Sequence, residues 1–184
     1  MTRSSQPPED VLSFWFEETS PEKHFKADLT LDAEIGRRFK PSIEAALAGR
    51  IDDWAATADG ALALILVLDQ FTRNTARGTP AAFAGDKKAL AICKASLSQG
   101  FDRDMPPYRA LFLIMPLMHS ENLADQERCV ELIEPLGIEV AFDAAVRHRE
   151  IIARFGRFPH RNAVLRRETT AEEAAFLKEP NSSF

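Results

Sequence analysis

Apolar residues recur along this chain at helical spacing, and almost nowhere with the strict alternation of a half-buried strand. After Pro7 and Pro8, the stretch EDVLSFWFEE puts acids in a first turn and Val11, Leu12, Trp15 and Phe16 on one side, which predicts an amphipathic helix. Thr30 is placed to cap a second helix, in which Leu31, Ile35 and Phe39 recur every four residues. Pro41 predicts a break there, and SIEAALAG carries the pattern on to Gly49 as a stop. ALALILVLDQF, residues 61–71, is apolar all round up to Asp69; its Ala and Leu content favours a buried helix over a strand, so it is expected at the centre of the core.

The pattern continues to the end of the chain. Residues 82–100 read as a helix closed by Gly100, and Pro106 and Pro107 open another, YRALFLIMPLM, which Pro116 should kink or end. LADQERCVELIEPLG and IEVAFDAAVRHREIIARFG add two more, with Gly156 as the cap of the second, and Thr170 with Glu173 makes a capping box before a short last helix. Seven or eight helices joined by short connections predict an all-α fold of antiparallel neighbours, in one domain over residues 1–184. No fixed period of self-similarity marks a solenoid, although stacked helical hairpins fit the pattern.

Composition narrows the class. With 45% apolar and 28% charged residues the chain is neither disordered nor fibrous. Its longest apolar run, residues 61–68, falls far short of the roughly 18 residues of a membrane span. The opening MTRSSQPPED has no apolar core of a secretory signal, so a cytoplasmic location is expected. Cys93 and Cys129 have neither CxxC nor metal-finger spacing and are expected as free, buried thiols. A net charge of −5 makes nucleic acid an unlikely partner, but the average hides an asymmetry. Residues 147–167 hold seven arginines, no lysine and one acid, a local +6 that leaves −11 for the rest.

That exclusive use of arginine matters, because a planar guanidinium binds carboxylate or phosphate as a fork, whereas a solvated basic face would accept lysine equally well. Two earlier stretches also combine charge with apolar helix. In LDQFTRN, Asp69 and Arg73 are four apart, share a helix face and can pair, with Asn74 at the helix end. In MPLMHSEN, a proline-disrupted helix end presents His119, Ser120, Glu121 and Asn122 in succession, where Ser120 or Asn122 can simply cap the next helix. The arginine-rich segment adds His148, Arg157, His160, Arg161 and Asn162. The histidines with Glu121 could be read as ligands of zinc or another divalent ion, but HExxH is absent and HSE has no downstream PCxxC, so no metal or cofactor is expected. Ser120 lies in no GxSxG elbow, and neither cysteine has a basic neighbour to activate it.

Taken together, LALILVLDQFTRNTARGTPAAFAGD, RALFLIMPLMHSENLADQE and HREIIARFGRFPHRN with ETTAEE closely resemble a bacterial family of uncharacterised proteins, domain of unknown function 924, from VLSFWF to Phe184. The resemblance implies a TPR-like helical superhelix and brings no activity. The family-typical positions it carries are Asp69, Gln70, Arg73 and Asn74; His119, Ser120, Glu121 and Gln126; and His148, Arg154, Arg157, His160, Arg161 and Asn162. One departure stands out: Leu165, Arg166 and Arg167 occupy a place where members read LGR, which puts the local backbone turn in question.

Three expectations follow. The Arg/His-rich region is a binding groove for an anionic ligand or acidic peptide. Alternatively, it is the site of a hydrolase-like enzyme acting on a small anion, metal-assisted or not, with Glu121 or a histidine as base and Arg157 or Arg161 on the anion. In the third reading the arginines are a clamp, with Asp69, Glu121 and Asp125 accepting from Arg157 and Arg161.

Overall fold

From Ala61 to Leu68 no side chain reaches solvent, so that stretch must be wrapped on every side. A computed structural model describes residues 5–180, 182 and 183; residues 1–4 of the opening decapeptide and Phe184, where the family resemblance ends, lie outside them. Eight helices make an all-α fold with no strand among the described residues. They are α1 (Pro8–Ser13, prolonged by a π-helical turn Phe14–Glu18), α2 (Leu29–Leu47) and α3 (Ala58–Ile65, running on through π-helical Leu66–Phe71 into Thr72–Thr75). Then come α4 (Asp86–Gln99), α5 (Pro107–Met118), α6 (Leu123–Ile133), α7 (Glu139–Phe155) and α8 (Ala171–Phe176). Helix α3 is the axis, packed against α1, α2, α4 and α5, and the later helices each lie on the one before, α5 on α4, α6 on α5 and α7 on α6.

Several boundaries differ from the sequence expectation for identifiable reasons. Helix α2 is capped by Asp28 rather than Thr30, because the Asp28 carboxylate accepts from the N–H groups of Thr30 and Leu31 at 2.9 and 3.0 Å. Pro41 does not break α2: its buried face, Leu31, Ile35, Phe39, Ala45 and Ala46, is continuous across the proline, and that packing outweighs one missing backbone hydrogen bond. Pro116 likewise lies within the last turn of α5 without ending it. Residues 82–85 are not part of α4. Pro80–Phe83 form a separate 3-10 turn, and Gly85 crosses α3 so closely that a Cβ would lie 2.1 Å from the Leu68 carbonyl oxygen. That contact, open to glycine alone, sets Asp86 at the start of α4 directly beside α3.

Other signals hold. Gly156 ends α7 at φ 68°, and Thr170 and Glu173 form both hydrogen bonds of the capping box. His24 closes the segment before α2 onto the core. Its ring stacks on Trp15 at 4.2 Å; Nε2 donates to the Trp15 carbonyl at 2.9 Å, so Nδ1 accepts from the Tyr108 hydroxyl at 2.7 Å. Burial pushes this imidazole down to about 4, so the latch is neutral.

At the LGR departure the backbone keeps a glycine-type turn without the glycine. Arg166 adopts φ 54°, the one positive φ among described non-glycine residues, and the Arg167 N–H closes the turn on the Asn162 carbonyl at 2.8 Å. Arg166→Gly is therefore expected to stabilise the protein by about 0.5–1 kcal/mol, the left-handed strain removed less the extra entropy of an unfolded glycine. Urea unfolding of the two proteins measures it.

Candidate functional site

The π-helical segment of α3 buries a carboxylate in an apolar helix, and everything polar nearby is arranged around it. Asp69, 1% exposed, accepts from Gln70 Nε2 at 2.6 Å and His119 Nδ1 at 2.7 Å, and is ion-paired with Arg73 Nη1 at 3.0 Å. Burial alone would raise its pKa, but the Arg73 charge, together with the charge and hydrogen bond of His119, holds it well below the usual carboxylate range. Arg73 spends the rest of its fork on Asp86, at 2.8 and 2.9 Å, and also donates to the Asp69 carbonyl. The pairing of Asp69 with Arg73 is thus the i, i+4 contact expected from LDQFTRN, extended to a third partner from α4.

Gln70, Arg73 and His119 form the floor of a cavity of about 760 Å³ between α3, α5, α7 and the turns after Gly78 and Phe158, with Asp69 and Asp86 directly behind them. His119, from the end of α5, and His148, from α7, lie with ring centres 6.4 Å apart, and both line the cavity, as do His160 and Arg161 from the 3-10 turn Pro159–Arg161. His148 Nδ1 donates to the Ala144 carbonyl at 2.7 Å. Burial pushes His148 down to about 3 and His160 to about 4, in each case helped by neighbouring cationic groups, so both are neutral at pH 7. His119 is also lowered, by burial and Arg73, against the opposing pull of Asp69.

Arg161 differs from every other arginine of the segment. Its side chain is 9% exposed and lies between the rings of Phe158 and Phe83, with Cζ 4.5 and 4.9 Å from their centroids. Among the described residues it makes no hydrogen bond; Nε is buried without a partner, and its one ion-pair contact is Asp86 Oδ2 at 3.5 Å. Burial and the facing Arg73 pull its pKa down to about 10, where it is still a cation at pH 7.

The other expected site residues point elsewhere. Asn74 reaches the cavity wall, but its amide donates to Asp32 of α2 at 2.7 Å. Ser120 donates to Asp125 at 2.8 Å, and Asn122 caps α6. Glu121 does not face the cavity; it accepts from both Nη atoms of Arg167 and from the Phe158 N–H at 2.8 Å. Arg157 forks onto Glu173 at 2.6 and 2.8 Å and donates to the Glu168 carbonyl, and Asn162 donates to the same Glu173 carboxylate at 3.2 Å. The clamp reading is therefore correct in kind and wrong in its partners: Arg157 meets Glu173, Arg167 meets Glu121, and Asp125 accepts from Lys94. The Arg157 hydrogen bond, first of several causes, holds Glu173 down at about 2.

Sequence reasoning missed the remaining wall. Phe83 of the wall, and Asp86 behind Arg73, were unreadable while residues 82–100 passed for one helix, and Tyr108, the chain's single tyrosine, lines the cavity with His24 and Phe25. Leu111, Met115, Met118, Ile138 and Ala141 add apolar wall, and at the rim Phe25 and Val140 are 56% and 74% exposed. The cavity thus combines cationic and imidazole groups with an extensive apolar lining. Among the described residues no three His, Cys, Asp or Glu side chains are grouped to hold a metal ion, and no helix is long and apolar enough to cross a membrane.

An all-helical chain whose core helix carries a buried Asp–Arg–His cluster into a cavity can now be placed among known proteins. The model of the bacterial proteins of unknown function DUF924 matches residues 11–181, and the chain belongs to that family. Among solved structures it is similar to a protein of unknown function, ATU0120, from Agrobacterium tumefaciens, with 38% identity and a TM-score of 0.88 over 93% of this chain and 96% of the other. No curated protein matches the sequence.

The two kinds of arginine have different expected costs. Glu173→Ala removes the acceptor of Arg157, Asn162 and the Thr170 N–H together, and should cost about 3 kcal/mol. Arg161→Met replaces a buried cation that forms no hydrogen bond with an apolar chain of similar reach, and should leave stability within about 1 kcal/mol of wild type or raise it. Urea unfolding of both variants decides; equal large losses would make Arg161 another clamp.

Proposed function

We propose that this protein binds a small amphipathic anion, with its charge on Arg161 and its apolar body along α5 and α7. One observation carries this reading: a guanidinium more than nine-tenths buried at a cavity wall with its donors unspent among the described residues. Burying a cation without hydrogen bonds is costly, and a fold gains nothing from it unless something else uses the fork. A carboxylate or phosphate fits that fork, and the Leu111, Met115 and Ile138 side of the cavity fits a hydrocarbon or ring. A volume of about 760 Å³ suits a small molecule better than an acidic peptide laid along a groove. Octanoate, which combines the two features, should raise the melting temperature in proportion to the logarithm of its concentration; a hundredfold excess over Kd is worth about 2.7 kcal/mol. Arg161→Met should abolish the shift. A wild-type protein indifferent to octanoate, octyl phosphate and aromatic carboxylates alike would refute the reading.

A second reading, catalysis at the same place, is favoured by Asp69 and His119. A buried carboxylate 2.7 Å from Nδ1 fixes the tautomer that leaves Nε2 as a base, the orienting arrangement used by hydrolases. The nucleophile would be water, since Ser120 is turned to Asp125 and burial raises the Cys93 thiol to about 12. Release of nitrophenol from 4-nitrophenyl octanoate, lost in His119→Asn, is the expected result. Hydrolysis no faster than in buffer removes this reading and leaves the binding one untouched.

A further inference from the structure

Arg161 and His119 line the same cavity and share Arg73, Asp69 and Asp86 as charged neighbours, so an anion on Arg161 is brought toward His119, whose proton is already placed by geometry. Asp69 is held ionised, so it can only accept, and the hydrogen in the 2.7 Å contact sits on His119 Nδ1. Neutral His119 therefore carries a lone pair on Nε2, which makes no hydrogen bond among the described residues. An anionic oxygen brought beside that lone pair is repelled unless a proton comes between them.

Charge counting gives the same answer independently. The groups around His119 are Asp69 and Arg73 from α3, Asp86 from α4, His148 from α7, and His160 and Arg161 from the turn that follows. Lys26 and Arg77 lie out at the rim, Arg77 already paired with Asp32, and Glu121, which acts on Arg161 and His160 from outside the cavity, is cancelled by Arg167. With the imidazoles neutral, two carboxylates balance two guanidiniums, and the floor of the cavity has no net charge. A bound monoanion would leave a buried excess of −1, which a low-dielectric site does not tolerate. One proton on His119 restores neutrality, and the His119 cation so formed stays paired with Asp69 on one side and the ligand on the other.

Building on the binding reading above, we propose that the ligand is a monoanion taken up together with one proton, which resides on His119 Nε2 and is shared with the ligand's head group. Carboxylates are the class this suits best. They are fully ionised at neutral pH and bring one charge, one oxygen for Arg161 and one for His119. A phosphate monoester, mostly dianionic above its second pKa of about 6, would need a further proton and is accepted as its monoanion.

The free ring titrates below its ordinary value of 6.5. Above that pH, free His119 is neutral while the complex carries the proton, so affinity rises as pH falls, by about tenfold per unit, until the free ring itself begins to protonate. The probe is octanoate, titrated calorimetrically into the full-length protein between pH 8 and 6.5 in pairs of buffers with different ionisation enthalpies. Uptake close to one proton per octanoate is expected, approaching two for octyl phosphate at pH 8. His119→Asn, whose amide can still donate to Asp69, should bind octanoate with an affinity that no longer varies with pH, its fold checked by circular dichroism. Octanoate binding with no proton uptake overturns the proposal and leaves the binding reading intact. Uptake that survives in His119→Asn also overturns it, because the proton then sits elsewhere. No binding of octanoate at either pH refutes the binding reading and this proposal with it.

Discussion

The polar half of this molecule is organised by one buried charge. Asp69 sits where α3 is otherwise sealed in hydrocarbon, and an ionised carboxylate can persist there only if donors surround it. Gln70, Arg73 and His119 supply them, and each draws in a further element: Arg73 brings Asp86 and the start of α4, and His119 brings the end of α5. The close passage of Gly85 over the Leu68 carbonyl is what lets α4 begin near enough for Asp86 to reach. Because the π-helical turn of α3 holds the carboxylate, a local departure from regular helix and a long-range cluster are one feature, as is common where helices carry polar sites.

Around that cluster the arginine-rich segment divides into two tasks. Arg154, Arg157 and Arg167 tie the C-terminal turns to Glu172, Glu173 and Glu121, so three of the seven arginines are neutralised by these acids within the protein. These ties shape the turn 157–167, including the left-handed Arg166, and so hold Arg161 between Phe83 and Phe158. Arg161, the one buried arginine or lysine among the described residues, is thus placed by the clamps around it, and its side chain makes no hydrogen bond there. A lysine at 161 would keep the charge but could neither lie flat between two rings nor offer a fork.

The cavity combines features that pull a ligand in opposite senses. At its floor, charged groups are balanced and desolvated, so each is strong and none is spare except Arg161. Toward the rim the walls are apolar and end in exposed Phe25 and Val140, with the His24 latch keeping the intervening segment against Trp15 and Tyr108. Under the binding proposal, selectivity would come from matching charge and proton count at the floor, with the apolar side chains adding affinity that depends little on shape.

Much of this was legible along the chain. The helical period, the apolar run 61–68, the Asp69–Arg73 spacing, the glycine stop at 156 and the capping box at 170–173 are local, and local physics decides them. Three stretches also stood out as polar, because charge beside an apolar helix needs a partner wherever the chain puts it. What the sequence could not decide was which partner. Glu121 and Asp86 are both acids near helix ends, yet one is taken by Arg167 and the other by Arg73, and Arg157 and Arg161 stand four apart with opposite fates. Those assignments depend on distances of a few ångströms between elements remote in sequence, set by helix packing and by a single glycine contact. The sequence thus determined the helices and the stock of charged groups; only the tertiary structure decided which charges cancel within the fold and which guanidinium is buried without a hydrogen bond.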